Sequence, residues 1–220
     1  MLTETLTLQH ILPPAALSFI AVTALVVCDI RQFRLGRYLF KPLAAAAFVW
    51  LAIRLGAPAT DYGRWLLAGL LCCSLGDLLL MPDNERSFLA GLVAFLCGHL
   101  LYAVAFLHLP LNLQGLAVSA LPALLLLVVA ARWLAPHIER QMQLPVALYT
   151  LVITAMLLCA GLSAGHPAAA LIIGGAWGFA ISDLAVARQQ FAHPSHWNGL
   201  WGTPLYFFSQ MLLACSVAFA

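Results

Sequence analysis

Charge is scarce in this sequence. Only 8% of its 220 residues are Asp, Glu, Lys or Arg, against about 25% in a soluble domain. With 64% hydrophobic residues and a mean hydropathy of +0.98, no stretch remains for a separate soluble domain. The net charge of +2 is too small to point to nucleic acid, and no basic tail stands apart from the apolar runs. No C-x-x-C occurs among the six cysteines, and Cys28, Cys72, Cys73, Cys97, Cys159 and Cys215 all fall within apolar runs. They read as small hydrophobes rather than disulfides or zinc ligands. There is no H-E-x-x-H, and no serine nucleophile elbow is expected. The segment before the first apolar run carries Glu4 and no Lys or Arg, so the basic region of a cleaved signal peptide is not expected either.

What is present is a series of apolar runs, each near the roughly 17–25 residues that cross a bilayer. They fall near 12–30, 39–55, 64–81, 88–108, 113–134, 145–163, 167–188 and 200–219. The expectation is an all-α polytopic membrane protein of eight transmembrane helices in one domain, 1–220. Turn signals at Pro82-Asp83-Asn84, Pro110-Leu111-Asn112 and His193-Pro194-Ser195 separate the runs. Arg31, Arg34, Arg37, Lys41, Arg86, Arg132, Arg140 and Arg188 lie at one set of loops, and only Arg54 and Arg64 at the other. Under the positive-inside rule the first set is cytoplasmic and both termini are not, in a bacterial-type inner or plasma membrane.

Two aspartates interrupt these runs. Asp77 follows Leu70-Leu71-Cys72-Cys73-Ser74-Leu75-Gly76, and Asp183 follows Gly178-Phe179-Ala180-Ile181-Ser182. A carboxylate at the centre of a spanning helix costs about 2.5–3.5 kcal/mol on insertion scales, and such residues mark functional sites by default. The orientation puts both near the cytoplasmic ends of the third and seventh helices. Asp29, Lys41, Tyr149 and Tyr206 lie on the same side, with His99 and Gln210 deeper. His99 and Tyr102 share one helix face, as do Tyr206 and Gln210. For His99 an interhelical hydrogen bond is the preferred reading unless the ring reaches the aspartates.

Gly76-Asp77-Leu78 resembles Ser182-Asp183-Leu184, and Leu101-Tyr102 resembles Leu205-Tyr206. Pro42 and Pro145 open the preceding helices. These matches suggest two parallel four-helix repeats about an axis along the membrane normal, although a Leu-rich chain also produces such pairs by chance. Symmetry of that kind would turn both aspartates toward one central cavity. In a low-dielectric pocket one carboxyl can stay protonated while its partner is ionised, which suits acid and base work. The competing reading is two satisfied carboxyls that lock helices together. Lys41 would pair with Asp29 or with a lipid phosphate. The Arg31–Arg37 segment reads as a surface for anionic headgroups. His193, His196 and Trp197 form at most a weak metal site, so no metal or cofactor is expected.

The blocks Lys41-Pro42-Leu43, Gly76-Asp77 before Leu-Leu-Leu-Met, and Phe88, Gly91, Phe95, Gly98-His99, Tyr102 occur in order. They continue with Leu148-Tyr149, Gly175-Ala176, Phe179, Ser182-Asp183, Tyr206 and Gln210. Together they resemble the YhhN-like lysoplasmalogenase family of membrane proteins. The resemblance implies a membrane enzyme that hydrolyses the vinyl-ether bond of a lysoplasmalogen to a fatty aldehyde and a glycerophospho-alcohol. It marks Asp77 and Asp183 as catalytic candidates, with Lys41, His99, Tyr102, Tyr149, Tyr206 and Gln210 as substrate-binding candidates. The implied partners are the lysophospholipid and the bilayer, with no nucleic acid, and no pattern specifies an oligomer. Leu184 stands where the family often has a hydroxyl residue, and Gln189-Gln190-Phe191 where it often has Asn and a basic residue before Phe. Two rivals also use membrane carboxylates: a proton-coupled lipid or solute transporter, and an intramembrane aspartyl protease, whose G-x-G-D signature Ser74-Leu75-Gly76-Asp77 matches only in part.

Overall fold

The computed structural model describes residues 2–220, with side chains described from Leu8 onward, so Glu4 lies outside the described side chains. Eight α-helices follow one another without a strand among the described residues: α1 (Leu2–Ile30), α2 (Arg34–Arg54), α3 (Asp61–Leu79), α4 (Glu85–Phe106), α5 (Leu113–Leu134), α6 (Arg140–Gly161), α7 (Ala169–Ala187) and α8 (His196–Ser216). Seven are long and apolar enough to cross a membrane. The exception is α3, which carries Asp61, Arg64 and Asp77 in its 19 residues. The described starts of α2, α4, α6 and α8 precede the expected ones by three to five residues, because polar first turns extend each helix beyond its apolar run.

Side-chain caps set several of these ends. Thr60, Asn84, Asn112 and Ser195 each accept a hydrogen bond from a backbone N–H of the first turn of α3, α4, α5 and α8, satisfying donors that a helix start leaves unpaired. Asn112 also joins the α4–α5 and α6–α7 connections, donating from its side chain to Ala164 O and from its backbone to Leu162 O.

Consecutive helices pack as four antiparallel hairpins, α1 on α2, α3 on α4, α5 on α6 and α7 on α8. Between halves, α2 packs on α8 and α4 on α6. Exchange of α1–α4 with α5–α8 carries the first of these contacts onto the second, as the repeated sequence blocks suggest. The exchange is imperfect at one place. Helix α1 also packs on α8, whereas α5, its counterpart, packs chiefly on α6 and leaves Val118, Leu121, Leu125 and Val129 exposed. All six cysteines are free thiols.

Small residues let the hairpins close, the usual device where apolar burial cannot drive association in lipid. Gly115 of α5 abuts the backbone of Gly161 in α6, so a Cβ there would collide with the Gly161 carbonyl oxygen, and neither side has a flexible atom to yield. Gly115→Ala is expected to lower the thermal midpoint in detergent, since overpacking of this kind costs about 1–3 kcal/mol. An unchanged midpoint would mean that α5 and α6 do not meet at these glycines.

Candidate active site

A cavity of about 890 Å³ opens at the end of the bundle where α1, α3, α5 and α7 finish. Asp77 and Asp183 both line it, with Lys41, Tyr149 and Tyr206. Three of these side chains lie close to a proline in a helix that starts at this end of the bundle: Lys41 beside Pro42, Tyr149 a turn after Pro145, and Tyr206 just after Pro204. Each proline removes a backbone hydrogen bond and bends its helix, a distortion that membrane helices tolerate where they line a cavity.

Each aspartate is held by partners from two other helices. Asp77, whose side chain is only 3% exposed, has Lys41 Nζ of α2 at 3.4 Å from Oδ1 and accepts a hydrogen bond of 2.8 Å at Oδ2 from the Tyr206 hydroxyl of α8. Asp183, 14% exposed, faces His99 Nε2 of α4 at 3.3 Å and accepts a hydrogen bond of 2.9 Å from the Tyr149 hydroxyl of α6. The same oxygen, Oδ2, meets both groups. In each case one partner comes from the preceding helix and the other from the last helix of the opposite half. Lys41 therefore pairs with Asp77, not with Asp29 as the sequence suggests; Asp29 instead lies 3.6 Å from Arg37. The reason is position: Arg37, one turn earlier on α2, reaches the end of α1, and Lys41 points deeper, where a buried carboxylate lacks any other cation.

His99 does reach an aspartate, but from behind the wall. It is fully buried, absent from the cavity lining, and its ring stacks on Phe179 at 4.1 Å and 17°. Its Nδ1 lies 2.8 Å from Phe95 O of its own helix. Nε2 is too far out of line with the carboxylate for a full hydrogen bond. Tyr102 and Gln210 do not line the cavity either: the Tyr102 hydroxyl donates to Gln210 Oε1, linking α4 to α8 in the core. In function Tyr206 corresponds to His99 rather than to Tyr102, its sequence match one turn along the same face.

The sequence reading did not single out Phe179 and Phe95 as site residues. Phe179, one turn before Asp183, makes edge or tilted contacts with Phe95, Tyr102 and Tyr206 at 5.5–6.2 Å. This aromatic layer lies beneath the aspartates. The i, i+4 spacing of Phe179 and Asp183 was the available signal.

The mouth is polar. Asp29, Gln32, Arg37, Gln189, His196 and Asn198 line it. Beyond α7 the chain widens into a π-helical turn over Arg188–Ala192, and Gln189 Oε1 accepts from Ser195 N and Asn198 Nδ2, both at 2.9 Å. This glutamine, at a departure from the family pattern, thus ties α7 to α8. His196 Nδ1 lies 3.2 Å from Gln32 Nε2. Among the described residues no three His, Cys, Asp or Glu side chains come together as a metal site. A G-x-S-x-G string does occur, contrary to expectation, at Gly161–Gly165. It turns between α6 and α7 at the opposite end of the bundle, and buried Ser163 donates to Ala160 O. With no strand before it, and with Ser163 buried and outside the open surface pocket that Ala164 and Gly165 line, it is a helix end rather than a nucleophile elbow.

The YhhN family model matches residues 36–217. The chain belongs to the YhhN family. It is 34% identical over 182 residues to the human protein named lysoplasmalogenase TMEM86B, covering 79% of this chain and 70% of that one. The rat protein of the same name is 34% identical, with 79% and 68% covered. A Mycobacterium tuberculosis lysoplasmalogenase is 31% identical, with 71% and 62% covered. No solved structure matches the chain. The family match spans both aspartates and all of their partners, and the multi-pass helical bundle is that of an integral membrane protein.

The pairing of Lys41 with Asp77 has a measurable consequence. Removing one partner of a buried pair leaves an uncompensated charge, at about 3–5 kcal/mol when burial is complete; with Lys41 21% exposed, the lower end is expected for Lys41→Met. The double variant Lys41→Met/Asp77→Leu should be more stable than additivity allows, by about 0.5–3 kcal/mol. Additive losses of unfolding free energy would disprove the pair.

Proposed function

We propose that this YhhN-family protein is a lysoplasmalogenase, a membrane hydrolase that cleaves the vinyl-ether bond of a lysoplasmalogen to a fatty aldehyde and a glycerophospho-alcohol. The observation that carries the reading is the convergence of Asp77 and Asp183 on one cavity, in a chain whose relatives bear that name. The reaction begins when a protonated aspartate gives its proton to the vinyl β-carbon, forming an oxocarbenium ion. The ionised partner stabilises the cation and takes a proton from the attacking water. The resulting hemiacetal then collapses to aldehyde and alcohol. Proton transfer by a positioned side chain supplies typically 10²–10⁴-fold, and a fixed carboxylate beside the cation adds electrostatic stabilisation without reorganisation.

The cavity suits an amphiphile with one chain. Its polar mouth would take the headgroup, and the mainly apolar surfaces of Leu126, Leu127 and Ala130 in α5 and Val146 and Ile153 in α6 would take the hydrocarbon tail. That arm runs along the helix that breaks the exchange of halves. Lys41 already pairs with Asp77, so phosphate contacts fall to the groups of the mouth. The concentration of Arg residues at this end supports a cytoplasmic mouth. The aromatic layer beneath the aspartates argues against a through-path for transport. An aspartyl protease would need both carboxyls free to share a water, whereas here each is tied to its own partners.

The test is aldehyde release by the purified protein from a lysoplasmalogen and from its saturated-ether and ester analogues. Only the vinyl ether should react. Asp77→Asn and Asp183→Asn should each reduce the rate by about 10²–10⁴-fold, and full activity in either variant would remove the two-carboxylate mechanism. Filling the apolar arm with Ala130→Phe should raise KM for long-chain substrates and leave short-chain ones little affected; equal effects on both would place the tail elsewhere.

A further inference from the structure

The two aspartates are not equivalent, and their partners differ in one chemical respect. Lys41 is a cation that brings Asp77 its own protons, whereas His99 can be either donor or acceptor at Nε2. The choice is constrained by Nδ1, which lies 2.8 Å from Phe95 O. A carbonyl oxygen has no proton to give, so Nδ1 must carry one. A neutral ring then leaves a bare and unpartnered lone pair at Nε2, 3.3 Å from Asp183 Oδ2 in a fully buried position. Two acceptors cannot lie this close there at low cost, even out of line, because a buried polar atom without a partner is penalised in full. A proton must therefore sit on one side of the contact. The Tyr149 hydroxyl does not remove this need, since it donates to the same oxygen and leaves Nε2 without a partner. At Asp77 the ammonium of Lys41 and the hydroxyl of Tyr206 both donate, and the carboxylate requires no proton of its own.

We propose that Asp183 is the acid, its proton shared with and positioned by His99, and that Asp77 is the ionised partner. This rests on the hydrolase reading. Atoms and protons balance over the cycle. Asp183 gives its proton to the β-carbon as the C=C π pair forms the new C–H bond. Water adds to the oxocarbenium carbon and loses a proton to Asp77. In the collapse, the hemiacetal hydroxyl returns a proton to Asp183 while Asp77 protonates the departing glycerol oxygen. Both aspartates end as they began. After the first step a bare Asp183 carboxylate faces the lone pair of Nε2, which favours its reprotonation. His99 is a positioning residue in this scheme, since it touches Asp183 and not the cavity. The other ionisable groups on the cavity wall are Tyr149, Lys41 and Tyr206 beside the aspartates, and Asp29, Arg37, Asp83 and His196 toward the mouth.

The test has two arms. In wild-type protein with 15N-labelled histidine in bilayers, the His99 ring signals are identified by their loss in His99→Gln. Nδ1 should carry a proton and Nε2 should accept or share one with Asp183. A proton resident on Nε2, in a neutral ring or in an imidazolium facing an ionised Asp183, would overturn the proposal without reference to substrate. In the second arm, His99→Gln should lower kcat for aldehyde release by about 10²-fold with KM little changed. It should also raise the solvent deuterium isotope effect on kcat, which a purely structural defect would leave at the wild-type value. A folded His99→Gln with wild-type kcat and isotope effect would equally overturn it. Absence of aldehyde release by the wild-type protein would instead count against the hydrolase reading itself.

Discussion

A carboxylate inside a membrane bundle has to be answered by donors, and the arrangement of this fold follows from answering it twice. Hydrocarbon cannot solvate Asp77 or Asp183, and each is held by partners from the protein. Neighbouring turns of the same helix supply none in this sequence. The donors come from α2 and α8 for one aspartate and from α6 and α4 for the other. Those four helices form the two contacts between halves, α2 on α8 and α4 on α6, that the exchange of halves relates. The polar contacts thereby specify which helices meet, a task that apolar packing in lipid performs poorly because hydrocarbon is as good a neighbour as leucine. Glycines such as Gly115 and Gly161 then set how closely the hairpins can approach.

Within this nearly exchangeable frame, the chemistry depends on where exchange fails. Lys41 and His99 are both basic and both touch an aspartate, yet one is committed to donating and the other is not. The second asymmetry is α5, which does not pack on α4 as α1 packs on α8, so an apolar arm of the cavity is left beside it. A perfectly symmetric pair of halves would have produced two equal carboxylates and no preferred place for a tail.

The number of helices, the place of the aspartates near the ends of α3 and α7, and the family were legible in the sequence, because apolar run length and ordered motif blocks are local signals. The partners were legible only in part. Tyr149 and Tyr206 could be placed at the right depth from orientation alone, but the pairing of Lys41 with Asp77 over Asp29 depends on how α2 lies against α3 and α1. His99 was readable as an interhelical residue, and nothing in its neighbourhood identified Asp183 as its partner. Tyr102 and Gln210 carry the same polar signal and bond to each other in the core, with Gln210 Nε2 left unpartnered. Phe179 appeared in the sequence only as one residue of the family blocks, with no site role, although it stacks on the histidine that faces Asp183. The G-x-S-x-G string shows the converse limit: a motif can be complete in letters and lack the strand and the exposed serine that would give it chemistry.

The depth of the site agrees with the chemistry proposed for it. Asp183 lies four residues before the end of α7, or about 6 Å along the axis at 1.5 Å per residue. The vinyl-ether oxygen of a lysoplasmalogen is joined directly to glycerol, so the reacting bond of a lipid in a membrane also lies just below the headgroup. A site at mid-membrane would have to drag a phosphate into hydrocarbon, and a site in the loops would have to draw the first carbons of the tail into water. At the observed depth neither transfer is needed. The products also separate without further machinery, the glycerophospho-alcohol toward the polar mouth and the aldehyde along the apolar arm. The same placement keeps Asp77 and Asp183 away from bulk water, where their partners could no longer hold one ionised and the other protonated.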